Sequence, residues 1–146
     1  MRASQSAAAF GVSHRRAEIW QAVNTDNTNV LEKILDLARW APSGDNSQPW
    51  RFEVTSASTL TVHGHDTRDH CVYDFEGRPS QMSLGALLQT LEIAASGYGM
   101  QARVLRRHAE PEHHPTFDIC LIADAALAAR PLFPFITDRT VQRRPI

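Results

Sequence analysis

Cysteine is scarce in this chain of 146 residues: Cys71 and Cys120 are the only two, far apart and in no CxxC pair. A secreted disulfide framework is thereby excluded, and two reduced thiols are expected. No apolar run approaches the roughly 20 residues that a membrane-spanning helix needs. An excess of either charge is lacking too, since 15 Lys+Arg against 16 Asp+Glu leave a net charge of −1. That balance gives no electrostatic case for nucleic acid or a membrane surface as partner. No glycine-rich phosphate loop follows a strand, because Gly97-Tyr98-Gly99 comes after a helix, and no Gly-x-Ser-x-Gly elbow is present. Kinase and hydrolase readings fall away.

What remains has the makeup of one soluble globular domain, with 42% hydrophobic and 21% charged residues and length for a single modest core. Residues 1–28 read as a variable, mobile leader. Met1 to Arg16 is Ala/Ser-rich and arginine-bearing without acids, but Ala7-Ala8-Ala9-Phe10 is too short for a secretory apolar segment. A short helix is expected over 17–23, then a polar break over 24–29 in which Asn27, Thr28 or Asn29 caps a helix from Val30 to Trp40. Leu31, Ile34, Leu35 and Ala38 form its apolar stripe, and Pro42 forces Ala41 out of helical geometry.

Arg51–Val54 and Thr59–His63 read as paired strands. Ser80 is placed to cap a helix over Gln81–Ser96 whose Met82, Leu84, Leu87, Leu88, Leu91, Ile93 and Ala95 make it apolar around much of its girth, as suits a buried central helix. Gln101–Leu105 begins a strand and Thr116–Ala123 is the strongest strand in the chain. His113-His114 falls in an exposed charged loop. Helices mixed with antiparallel-style strand pairs define an α+β class.

The run Ala41-Pro42-Ser43-Gly44-Asp45-Asn46-Ser47-Gln48-Pro49-Trp50-Arg51-Phe52 concentrates more chemistry than any other segment. Two prolines stiffen it without making it helical. Ser43, Asn46 and Gln48 offer hydrogen bonds, and Gly44 admits a flat ligand close to the backbone. Trp40, Trp50 and Phe52 can wall a cavity. The competing reading is a packed structural corner. Arg139 and Arg143 stand four apart, so one helical turn would bring both cations to one face as a phosphate clamp; a solvated basic tail is the alternative. His63, His65 and His70 match no recognised metal-ligand spacing and read as incidental, so no metal is assigned. Arg68 with Asp69 and Tyr73 with Asp74 form a candidate substrate-side cluster, against which stands ordinary surface pairing.

Ala41-Pro42-Ser43-Gly44-x-Asn46-x-Gln48-Pro49-Trp50-x-Phe52 resembles the signature of the FMN-dependent nitroreductase superfamily. Ser83 to Gly99 is similar to that family's central helix and the glycine turn behind it. Arg139-Thr140-Val141-Gln142-Arg143-Arg144-Pro145 resembles its arginine motif, with Val141 where a hydroxyl residue is usual. Because that motif ordinarily opens the domain, the order resembles the branch of fused nitroreductase halves, including those beside ThiF-type domains, or a truncated member.

The resemblance implies a nitroreductase-like α+β fold over residues 29–146, with a mainly antiparallel sheet packed by helices and the start of a second arginine motif at 136–146. It implies FMN held by Pro42, Ser43, Gly44, Asn46, Gln48, Arg139 and Arg143. NAD(P)H would be the electron donor, and a nitroaromatic or quinone the small acceptor. No catalytic side chain is named, since hydride chemistry belongs to the cofactor. A homodimer or a complementary half is the expected partner, with no nucleic acid or membrane, and the location cytoplasmic. The alternative function is a non-enzymatic flavin-sequestering or degenerate interaction domain.

Overall fold

The computed structural model describes residues 24–140, with side chains from residue 30 onward. Residues 1–23 of the expected leader, the helix expected over 17–23 and Arg143 lie outside the described residues, whereas residues 24–28, also assigned to the leader, are helical.

Helix α1 spans Asn24–Ala38. The polar run 24–29, expected as a break, is instead the start of this helix. Asn, Asp and Thr weaken a helix in its middle but are tolerated in its first turn. Leu31, Ile34 and Ala38 are buried as their spacing requires, and Leu35 packs partly against the same core. The helix tightens as it ends: the Trp40 amide donates to Leu37 O at 3.1 Å and the Ala41 amide to Ala38 O at 3.0 Å. Pro42, which has no N–H, follows.

Strands β1 (Trp50–Ser56) and β2 (Thr59–Gly64) form a hairpin. After the connecting segment comes the long helix α2 (Arg78–Ser96), then β3 (Met100–Arg106) and β4 (Thr116–Ala123). The four strands make one sheet in the order β1-β2-β4-β3, with every neighbouring pair antiparallel. The class is therefore α+β, as the strand pairs indicated.

Alternation sets the two faces of the sheet. Leu60, Val62, Ile119 and Leu121 point into the core. The opposite face carries Thr61, Asp118 and Arg107, which bond across strands, and His63 paired with Glu53 at 2.7 Å. Helix α2 lies against β3 and against α1, burying Leu84, Leu87, Leu91, Ala94 and Ala95. It is not apolar all round: Met82 is 76% exposed while Ser83 is buried, so the helix has one wet edge at its first turn.

The start of α2 also differs from expectation. Ser80 is not its cap; the helix begins at Arg78, after Gly77 at φ 74°. Any side chain at Gly77 would be strained there and would meet Arg68 and Asp66. At the other end, a Cβ on Gly97 would collide with the Phe133 ring, which also meets Tyr98 edge-on with centroids 6.0 Å apart. That contact seats the segment after β4 on the end of α2.

Leu87 is fully buried on α2. Leu87→Ala is expected to lower unfolding free energy by about 2–5 kcal/mol, read from the urea midpoint; a loss below about 1 kcal/mol would contradict a central, tightly packed α2.

Candidate functional site

The segment between Pro42 and Pro49 folds as a short 3-10 turn, Gly44–Asn46, in which left-handed residues dominate: Asp45 has φ 49°, Asn46 φ 58° and Gln48 φ 46°. Non-glycine residues adopt that region at a cost, and several so close together persist only where surrounding bonds over-determine them. Those bonds are present. Ser43 Oγ accepts the Gln48 amide at 3.0 Å, and Ser43 O accepts the Asn46 amide at 3.2 Å. Gly44 O accepts the Ser47 amide at 2.8 Å, while Gln48 Nε2 donates to Asn46 Oδ1 at 3.1 Å. Past the turn, the His65 amide donates to Pro49 O at 3.1 Å, locking the exit to the end of β2.

Two features of this loop are unoccupied among the described residues. Nothing stands within 4 Å of where a Cβ on Gly44 would lie, so a flat group can approach its backbone. Among the described residues, the amides of Gly44, Asn46, Ser47 and Gln48 all have acceptors, and that of Asp45 has none. Of the two roles open to Asn46 and Gln48, a ligand's edge or bracing of the loop, the bond between them shows bracing and leaves Asn46 Nδ2 and Gln48 Oε1 for a ligand. Trp50 is buried, so it supports the corner from within rather than lining an opening.

Arg139 comes back to this corner from 99 residues away, its guanidinium donating to Trp40 O at 3.1 Å. Both residues line a cleft of about 340 Å³ with Thr90, Ile93, Leu132, Phe135, Ile136, Asp138 and Thr140. Its walls are largely apolar, and its volume lies at the lower end for small-molecule sites. Pro42, Ser43, Gly44, Asn46 and Gln48 do not line it. The structure thus brings Arg139 beside the turn that leads into the loop, while the loop's own residues stand outside the cleft.

The residue that patterning missed is Asp74. Arg68, expected beside Asp69, pairs with Asp66 at 2.6 Å. Asp74 turns inward to 3% exposure, correcting the expectation that it would take part in a surface cluster. Its carboxylate accepts from Thr67 N at 2.6 Å and Thr67 Oγ1 at 2.9 Å, and from Ser80 N at 3.0 Å and Ser80 Oγ at 2.6 Å. Burial opposes its charge, yet these bonds outweigh it and hold the pKa at about 2. A carboxylate accepting from the first free amides of a helix is a capping arrangement. A lone Asp in a Tyr-Asp-Phe run carries no such signal.

Among the described residues no group of three or more His, Cys, Asp or Glu is placed to hold a metal ion.

The nitroreductase family model matches residues 27–72, which run from α1 through the loop and the β1–β2 hairpin. "Uncharacterized protein Rv3127" of Mycobacterium tuberculosis is 33% identical over 121 residues, covering 80% of this chain and 35% of its own length. "Putative NAD(P)H nitroreductase acg" from the same organism is 36% identical over 81 residues, 54% of this chain and 24% of that protein. A solved nitroreductase family protein from Clostridium difficile 630 is similar over 81% of this chain and 87% of its own, at 17% identity and a TM-score of 0.49. The chain resembles the nitroreductase superfamily, a likeness carried by residues 27–72 and by relatives that bear that name. It spans about a third or less of the curated relatives it matches, 35% and 24% of the two named.

Asp74's carboxyl sits below the ordinary value of 3.8 in the folded protein. Its contribution to stability is therefore complete above about pH 4 and lost as pH falls towards about 2. In Asp74→Asn, urea midpoints measured between pH 5 and pH 2.5 should fall less steeply than in the unmodified chain; equal slopes would contradict this role.

Proposed function

We propose that residues 29–146 act as a nitroreductase-like flavin domain, passing electrons from NAD(P)H to a small acceptor such as a nitroaromatic or a quinone. The observation that carries this reading is the strained loop: left-handed backbone at Asp45, Asn46 and Gln48 beside an open Gly44 and an Asp45 amide with no acceptor among the described residues. Strain concentrated in a loop that leaves a donor outward is characteristic of binding segments.

The residues present fit FMN. The Gly44 face accommodates a planar ring, and the Asp45 N–H is free to donate to an acceptor on its edge. Arg139 has one guanidinium nitrogen committed to Trp40 O, leaving donors for a phosphate. Trp40 and Ile93 give the cleft beside it apolar walls. Once bound, a reduced flavin supplies the hydride chemistry. Binding and orienting are what this chain's side chains contribute. No protein acid or base is invoked.

The second cation of the clamp is assigned to Arg143 on the strength of its spacing from Arg139. A homodimer or a complementary half is the partner this reading calls for, and exposed Val72, Tyr73, Phe75 and Met82 support one. Free thiols at Cys71 and Cys120 accord with a cytoplasmic location; no described helix is long and apolar enough to cross a membrane.

A second reading, a flavin-sequestering or degenerate interaction domain, is favoured by one observation: Gln48 Nε2 donates to Asn46 Oδ1 without any ligand, so part of the two amides' capacity is spent within the loop.

Purified chain titrated with FMN should quench flavin fluorescence, bleach anaerobically with NADH or NADPH, and recover its colour with a quinone. Binding without bleaching favours sequestration, and no binding removes the flavin reading. Gly44→Leu is expected to leave stability within about 1 kcal/mol, since its side chain enters open space. FMN affinity should nonetheless fall by roughly tenfold or more, about 1.4 kcal/mol. Unchanged affinity would place the ring elsewhere.

A further inference from the structure

Ser83 sits one turn into α2 and is only 5% exposed. Its hydroxyl has a single proton, which is donated to Pro79 O at 2.8 Å, four residues back on the same helix. The oxygen's lone pairs are thereby turned outward, and one of them receives the Gly44 amide at 3.4 Å. Among the described residues this is the one hydrogen bond that ties the body of the loop, residues 43–48, to an element distant in sequence; the rest are internal to the segment or join it to the adjacent start of β1, where the Trp50 amide donates to Gln48 O at 2.7 Å. Internal bonds alone fix the turn's shape but not its placement on the fold.

The same device recurs at the far end of the helix. Ser96, also buried, donates to Ile93 O at 2.6 Å and accepts the Arg130 amide at 2.9 Å. In each case a serine gives its proton to its own helix and receives a loop amide. Upstream, Asp74 fixes the helix start through Ser80, so Ser83 stands on a rigid base.

We infer that Ser83 is a positioning residue: by accepting the Gly44 amide it holds the 42–48 loop against α2 in its left-handed form, leaving the Asp45 N–H as the outward donor. With the Gly44 amide occupied, a ligand meets the Asp45 donor in a fixed direction. Loss of the Ser83 acceptor releases the loop without touching any group that contacts the ligand. The flavin consequence rests on the function proposed above; the loop's restraint does not.

Hydrogen–deuterium exchange on the full chain, resolved by residue, separates the two. Ser83→Ala should raise exchange at Gly44 and at Asn46–Gln48 by a factor of roughly ten, the worth of one hydrogen bond, with the unprotected Asp45 amide, β2 and β4 unchanged. Ser83→Thr, which keeps the hydroxyl, should restore protection. Ser96→Ala should expose Arg130 and leave Gly44 protected. FMN affinity, read by fluorescence quenching, should fall about tenfold in Ser83→Ala and recover in Ser83→Thr. Unaltered exchange at Gly44 and at Asn46–Gln48 in Ser83→Ala would overturn the inference, as would a uniform rise across the whole sheet. If the unmodified chain fails to bind FMN while the local exchange effect appears, the flavin reading falls and the Ser83 inference stands.

Discussion

A carboxylate buried away from water is costly unless hydrogen bonds replace its hydration, and Asp74 receives four, from Thr67 and Ser80. That exchange pins the connecting segment to the first turn of α2 and so decides where the helix begins. Everything else takes its place from this helix. Leu87 and Leu91 disappear completely between it and its neighbours. Ser83 takes hold of the loop on one side, and at the far end Gly97 lets the Phe133 ring come close to the chain. A rigid central helix with short polar tethers at both ends is a scaffold for loops, not merely a core.

The loop stores conformational strain that folding by itself does not require. Left-handed backbone at Asp45, Asn46 and Gln48 would relax in an unconstrained turn, and the serine tethers prevent it. Such strain is tolerated where it serves to present a donor or an open backbone face. Arg139, anchored on Trp40 O, places a cation a few residues from that face. Cation, apolar cleft and open backbone are thus grouped around the exit of α1, although the loop and the cleft remain separate surfaces.

Much of the architecture was legible in local pattern. The stripe of Leu31, Ile34 and Ala38, the alternation of Thr116–Ala123 and the breaks at Pro42 and Gly97 each carry their own physical signal. Pattern failed where a partner distant in sequence decided the outcome. Ser80 has the chemistry of a cap, yet Asp74 took that task because the connecting segment folds back over the helix start. Met82 belongs to an apolar sequence but faces water, since no described element covers that edge. Ser83 and Gly44 are 39 residues apart, and Arg139 and Trp40 are 99. Neither pairing has a local signature. The loop's chemistry could be read from its residue types, bracing by Asn46 and Gln48 among the options; the left-handed backbone that brings the two side chains together could not.

A crystal structure of the chain grown with FMN tests the central claim most directly. The account predicts the isoalloxazine ring in van der Waals contact with the Gly44 backbone, with the Asp45 amide donating to its edge. Density for FMN lodged away from residues 42–48, or that backbone covered by protein in the assembled form, would contradict it.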